Sequence, residues 1–237
     1  MAEPETRERL LEAAFRRLES DGPEALKART LTAEIGASTM AVYTHFGGMP
    51  GLIDEVVREG LARFAAHVRG RVRLDDDPMA DLIAGGLAYS EFALQNSQLY
   101  RLMFGLSSSR LREAKPALDA GAIWRLPEGV DTFSILLESV ERVIEAGEIR
   151  RQDARAAAIQ VLSATHGFVL LAIGGFDQEE MQDLPTSLAV DLMVGLGADR
   201  ARTERSLIRA VESRGSLAAS MAPSLEAQGR PGAKATQ

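Results

Sequence analysis

The sequence predicts an all-α fold, with an N-terminal three-helix head carrying a helix-turn-helix and a C-terminal helical bundle behind it. Three observations point there. Ala, Leu, Arg and Glu dominate the 237 residues, and these residue types lose little on entering a helix. Apolar residues recur at three- and four-residue spacing in one segment after another. And Gly36 followed by Ser38 divides one short periodic stretch into two, as a tight turn between helices requires.

The elements follow in order. Leu10, Leu11, Ala14, Phe15 and Leu18 make a first amphipathic helix that Gly22-Pro23 ends. Over Arg29 to Phe46 two short helices are expected around a three-residue turn. Gly36 supplies the positive φ that ends the first of them, and Ser38 is spaced to cap the second through its hydroxyl. Leu31, Ile35, Val42 and Phe46 can turn inward, which leaves Thr39, Met40, Tyr43, Thr44 and His45 outside. That exposed set is short, polar and aromatic rather than acidic, as a surface meeting phosphates and base edges must be. Gly47 to Gly51 reads as a turn, and Leu52, Ile53, Val56, Val57, Leu61, Phe64 and Val68 mark a fourth helix of roughly 18 residues. Asp75-Asp-Asp-Pro78 is a break and the expected domain boundary. Beyond it helices are predicted at 79–95, 97–105, 130–147, 153–175 and 186–212, the fourth capped by Asp153. Residues 105–129 read as irregular, with one short helix near Ala117 to Trp124. From 214 to 237 no periodicity remains, and a disordered tail is expected.

Composition narrows the function. With no cysteine, disulfides, thiolate catalysis and Cys-based zinc sites are excluded, and a reducing cytoplasm fits. The N-terminus lacks a basic region followed by an apolar run, so no signal peptide is expected. The most apolar run, Phe168 to Phe176, is about half of what a bilayer-spanning helix needs, so no membrane partner is expected. His45, His67 and His166 have no ligand spacing, and neither a metal nor a cofactor is expected. No Ser-His-Asp grouping or glycine-rich phosphate loop is present, which argues against an enzyme. The net charge of −7 is awkward for a DNA binder, because Lys and Arg supply most non-specific affinity. Placement softens this: within 25–49 the one acid is Glu34, against Lys27 and Arg29.

The tract Gly36-Ala-Ser-Thr-Met-Ala-Val-Tyr-Thr-His-Phe-Gly47, set between flanking helices over residues 6–68, resembles the signature of the TetR family of bacterial transcriptional regulators. Leu99-Tyr-Arg-Leu-Met-Phe-Gly105 and His166-Gly167 resemble one subgroup of its C-terminal domains, named for a Trp and a His-Gly pair; here Leu162 stands where the Trp is expected. The resemblance implies a homodimer that reads near-palindromic operator DNA and is released by a small molecule enclosed in residues 79–212. It also implies that Ser38, Thr39, Met40 and Thr44 face base edges, that Tyr43 and His45 bind phosphates, and that Arg29 grips the backbone. Two departures stand out. Met49 replaces a lysine common in relatives, and Lys27 replaces a hydroxyl residue that caps the second helix, restoring part of the charge.

Plainer readings compete with these. Met40 cannot make a bidentate hydrogen bond, so on DNA it would meet a thymine methyl. Phe64, Tyr89, Phe92, Tyr100, Met103, Phe104, Trp124, Phe133 and Phe168 are ordinary core or, for several of them, the wall of an apolar effector pocket. His166, in an apolar helix, is either satisfied by a core partner or part of that pocket. Val169, Ile173, Leu188, Leu192 and Leu196 lie on wide apolar faces that a second copy would cover. Arg200, Arg202, Arg205 and Arg209 read as a solvated face that complements a helix end. A helical interaction protein with a degenerate head, and an activator, remain alternatives to a repressor.

Overall fold

The computed structural model describes residues 3–72, 76–106, 124, 126–176 and 178–212. Among these the regular structure is helical, with no strand. The short helix expected near 117–124 falls outside the described residues apart from Trp124, as does the tail from 214. We number the helices α1 (Glu3–Asp21), α2 (Ala28–Glu34), α3 (Met40–Phe46), α4 (Met49–Arg69), α5 (Pro78–Gln95), α6 (Ser97–Met103), α7 (Pro127–Glu145), α8 (Ala154–Ile173), α9 (Gln178–Met181), α10 (Leu184–Gly195) and α11 (Arg200–Glu212), with a 3₁₀ turn at Pro23–Ala25.

Packing groups these helices into two compact units that do not follow chain order. The first, the head unit, holds residues 1–67 with 96–135; the second holds 68–95 with 136–237. The break expected at 75–78 separates helices along the chain, yet α6 packs on α1 and the 3₁₀ turn in the head unit.

In the head unit α1 is the organiser, touching α2, α3 and α6. Its buried Leu10, Ala14 and Leu18 meet a core that includes Leu31, Val42, Leu52 and Phe64. Gly22, with φ of 78°, ends α1 as expected. At Gly60 α4 runs close to α6: a Cβ there would sit 2.8 Å from Leu99 Cδ1.

The second unit is built on α5, which packs against α8, α10 and α11. The acidic break before α5 is functional locally, since Asp77 accepts from the Ala80 amide at 3.0 Å and so caps the helix. The same carboxylate accepts from Ser206 at 2.9 Å and from Arg209 at 2.9 Å, tying α11 to the start of α5. Asp81, buried one turn later, is paired with Arg142 of α7 at 2.7 Å. Buried Glu148 takes Arg202 of α11 at 2.6 Å. Burial pushes the Glu148 carboxyl above the usual carboxylate range, an effect that the Arg202 charge opposes. Asp153 caps α8 as the sequence indicated, accepting from the amides of Arg155 and Ala156 at 2.8 and 3.2 Å.

Two expectations are corrected. The helix predicted over 186–212 is broken in two. Leu196 ends α10, Gly197 takes φ of 103°, the Ala198 amide returns to the Met193 carbonyl at 3.0 Å, and Asp199 caps α11 by accepting from the Arg202 amide at 2.8 Å. The Gly-Ala-Asp run is thus a C-cap followed by an N-cap. The second correction concerns α8. The whole of Ala154–Ile173 is apolar enough, at 20 residues, to cross a bilayer by length and composition, a property that the shorter run from Phe168 to Phe176 concealed. Its capped N-terminus and its packing on α5 and α10 make it a helix of the bundle. Only 28% of that stretch is buried within the chain.

Candidate nucleic-acid interface

The placement of α3 is fixed from both ends. At its start the backbone leaves α2 through Gly36, with φ of 69°, where the Ala37 amide bonds the Thr32 carbonyl at 2.8 Å. The first helical residue is Met40, and Thr39 at the preceding position makes no side-chain capping bond. The cap expected from the Ser38 hydroxyl is therefore replaced by its backbone carbonyl, which accepts from the Ala41 amide at 3.0 Å. At its far end Gly47, again left-handed, lets its amide reach the Tyr43 carbonyl at 3.0 Å, and the Gly48 amide reach Val42 at 3.3 Å. Two residues on, α4 starts so close that a Cβ on Gly51 would overlap the Phe46 carbonyl oxygen. The α3–α4 junction thus tolerates only glycine at that point.

On this frame Val42 is buried while Ser38, Thr39, Met40, Tyr43 and Thr44 are exposed, Met40 by 65% and Tyr43 by 62%. His45 and Phe46 are both half-buried, so the histidine is less outward and the phenylalanine less inward than the sequence suggested. Their rings meet edge to face at 6.4 Å, and the guanidinium of Arg7 lies over the Phe46 ring at 5.4 Å. Thr44 donates its hydroxyl to the Met40 carbonyl at 3.1 Å. Lys27, immediately before α2, and Arg29, on its first turn, are both exposed.

The electrostatics favour an anion. Glu34 is drawn back onto α1, where Arg16 and Arg17 hold its two oxygens at 3.1 and 2.9 Å. The hydrogen bond from Arg17 lowers the Glu34 pKa from its usual value, with Arg16 adding to the effect. Arg9 donates to the Ile35 carbonyl at 3.2 Å, at the end of α2. The acid that sequence placed in the contact stretch is thereby neutralised. No described acid pairs with Lys27 or Arg29. Sequence reasoning missed this role for Arg9, Arg16 and Arg17, because helical spacing along α1 carries no signal of a partner on α2.

The side chains expected around an effector fall into both units. In the head unit Phe64 and Met103 are buried, and Tyr100, Phe104, Trp124 and Phe133 form a chain of ring contacts at 4.5, 6.0 and 6.2 Å. In the second unit Phe92 is buried, and the Tyr89 hydroxyl lies 3.1 Å from His166 Nδ1. Burial lowers the pKa of this imidazole, which favours its neutral form. The second unit also holds a cleft of about 510 Å³, including its open mouth, between α5, α8 and α10. Leu82, Leu87, Val161, Phe168, Leu188 and Leu192 give it an apolar wall; of the side chains expected around a pocket, Phe168 lines it and the others do not. Its hydroxyls, Ser90 and Thr165, donate to carbonyls of their own helices at 3.1 and 3.0 Å. The pairing face is also redrawn. Val169 and Leu196 are buried within the chain and cannot meet a second copy, whereas Ile159, Leu170 and Leu171 of α8 are exposed.

Residues 82–195 match the family model described as "Tetracyclin repressor-like, C-terminal domain". The matched region belongs to the TetR family's C-terminal domains. Solved structures agree with the chain in fold. A protein of unknown function from Rhodococcus sp. RHA1 is 27% identical over 81% of this chain and 95% of its own, with a TM-score of 0.69. A tetR-family regulatory protein from Rhodococcus RHA1 is 19% identical, covers 82% and 98%, and has a TM-score of 0.60. RolR in complex with the ligand resorcinol is 14% identical, covers 90% and 96%, and has a TM-score of 0.61. No curated protein matches the chain in sequence. The matched region includes α5, α8 and α10, so the apolar α8 lies inside a domain of known type.

Proposed function

We propose that this TetR-family regulator is a cytoplasmic, homodimeric repressor in a bacterium, released from operator DNA by a small, largely apolar molecule. The observation that carries the reading is the outward face of α3. Met40, Tyr43 and Thr44 of this seven-residue helix, with Ser38 and Thr39 just before it, stand in solvent beside two unpaired cations and with the nearby acid tied back. In this reading Thr39, Met40, Ser38 and Thr44 meet base edges, while Tyr43, His45, Lys27 and Arg29 meet phosphates. With few cations offered, binding falls less steeply with salt than for a strongly basic protein.

Two further observations support the finer parts. Ile159, Leu170 and Leu171 of α8 stand exposed, and a second copy would cover them. The apolar cleft of the second unit suits a hydrophobic effector, in keeping with a fold that in RolR holds resorcinol. An effector that prefers the form with badly spaced heads lowers DNA affinity by that preference, about 1–3 kcal/mol of coupling.

The test is a mobility shift on the DNA upstream of the protein's own gene at two salt concentrations. Arg29→Ala is expected to weaken operator and random DNA alike, whereas Thr39→Ala changes the preferred sequence. Equal losses on both DNAs for Thr39→Ala would remove that residue from base recognition.

A further inference from the structure

The exposed face of α3 offers methyl groups and hydroxyls but no side chain that pairs two hydrogen bonds with one base. Between residues 35 and 49 no Asn, Gln, Arg, Lys, Asp or Glu occurs, so the side chains that read guanine, adenine or cytosine by paired hydrogen bonds are missing. The most exposed large apolar side chain there is Met40, whose thioether donates nothing and accepts weakly. Thr44 has spent its proton on the Met40 carbonyl at 3.1 Å, which leaves its methyl to offer. The hydroxyls of Ser38 and Thr39, both exposed, each make single hydrogen bonds, which bias a position without the paired match that fixes a base. Tyr43 is turned toward the α3–α4 junction, where a Cβ on Gly48 would lie 3.6 Å from its ring.

A base pair shows one apolar group in the major groove, the C5-methyl of thymine. We propose that this face selects its operator through C5-methyl groups of pyrimidines, thymine first, packed against Met40 and the methyl of Thr44. The inference rests on the reading of α3 as the helix that enters DNA. It adds what that helix recognises: a half-site whose identity lies in methyl groups rather than in hydrogen-bonding edges.

The experiment separates the two levels. The full chain selects duplexes from a synthetic, unmethylated random pool, and the enriched duplexes are remade with deoxyuridine in place of thymidine. That exchange deletes the methyl while keeping the base pair and the O4 acceptor. Affinity is expected to drop about fourfold for each methyl read, the worth of one buried methyl group, and so about 15-fold for a two-fold site. Met40→Ala should bring the thymine-to-uracil ratio close to one, and Met40→Leu should keep it. Because Met40 is exposed, neither change disturbs the core. Replacing cytosine by 5-methylcytosine in the uracil duplex shows whether that second source of the methyl also serves. Equal affinity for thymine and uracil duplexes overturns this inference alone. Failure to enrich any duplex overturns the DNA-reading role of α3 itself.

Discussion

Two glycines of α4 give a paired test of how the head is built. Gly51→Ala and Gly60→Ala each replace a helical glycine, and each would gain about 1 kcal/mol from helix propensity if nothing else changed. Their surroundings differ. At Gly51 the new methyl meets backbone, the carbonyl oxygen of Phe46 and, at 2.9 Å, its carbonyl carbon. Backbone at the end of α3 cannot rotate aside, so the junction must open. At Gly60 the neighbours are Leu99 Cδ1 at 2.8 Å and Met103 Sδ at 3.2 Å, both far ends of flexible side chains. Overpacking costs about 1–3 kcal/mol, and the rigid obstacle at Gly51 puts it at the upper end. Subtracting the propensity gain leaves Gly51→Ala destabilised by about 2 kcal/mol and Gly60→Ala within about 1 kcal/mol of the parent. Urea unfolding of the three proteins at one concentration reads the difference. Because the displaced element is α3, Gly51→Ala should also lose DNA affinity while Gly60→Ala keeps it. Equal stability and equal affinity for both variants would refute the argument that the Phe46 carbonyl fixes the α3–α4 junction.

Further outcomes follow from the second unit. Asp81→Ala removes the buried carboxylate that Arg142 holds at 2.7 Å, and a drop of about 3 kcal/mol in unfolding free energy is expected, the low end for a broken buried pair because Arg142 is partly exposed; a change under 1 kcal/mol would show that the pair is not needed. His166 titrates below its usual value because burial favours the neutral ring, so its contribution to stability is full above about pH 6.5 and is lost as pH falls through the folded-state value. His166→Gln should therefore flatten the fall in melting temperature below pH 6.5 relative to the parent, and parallel curves would remove the buried imidazole as its cause.

Much of this fold is legible in local chemistry. Gly22-Pro23, Gly36 and Asp153 sit where helices end or begin because each satisfies a backbone need that only a few residue types meet. The α10–α11 break was missed because apolar spacing continues through Leu188, Leu192 and Leu196, masking a Gly-Ala-Asp signal that caps both sides. The Ser38 cap failed because helical geometry begins one residue later, leaving Thr39 at the position before α3. Long-range facts were harder to read. Spacing cannot say that Arg16 and Arg17 of α1 pull Glu34 away from the contact face, nor that Val169 faces inward while Leu170 and Leu171 face out on a helix apolar all round. The aromatic residues were recognised as a stock of large side chains, but their division between two packing units depends on α6 folding back onto α1.

Hydroxyl-radical footprinting of the intact protein on the DNA upstream of its own gene tests the central claim most directly. Two recognition helices in successive major grooves predict two protected patches one helical turn, about 34–36 Å, apart, both fading when Tyr43→Ala and Arg29→Ala are combined. A uniform cleavage ladder at low salt, or protection that survives those two substitutions unchanged, would contradict it.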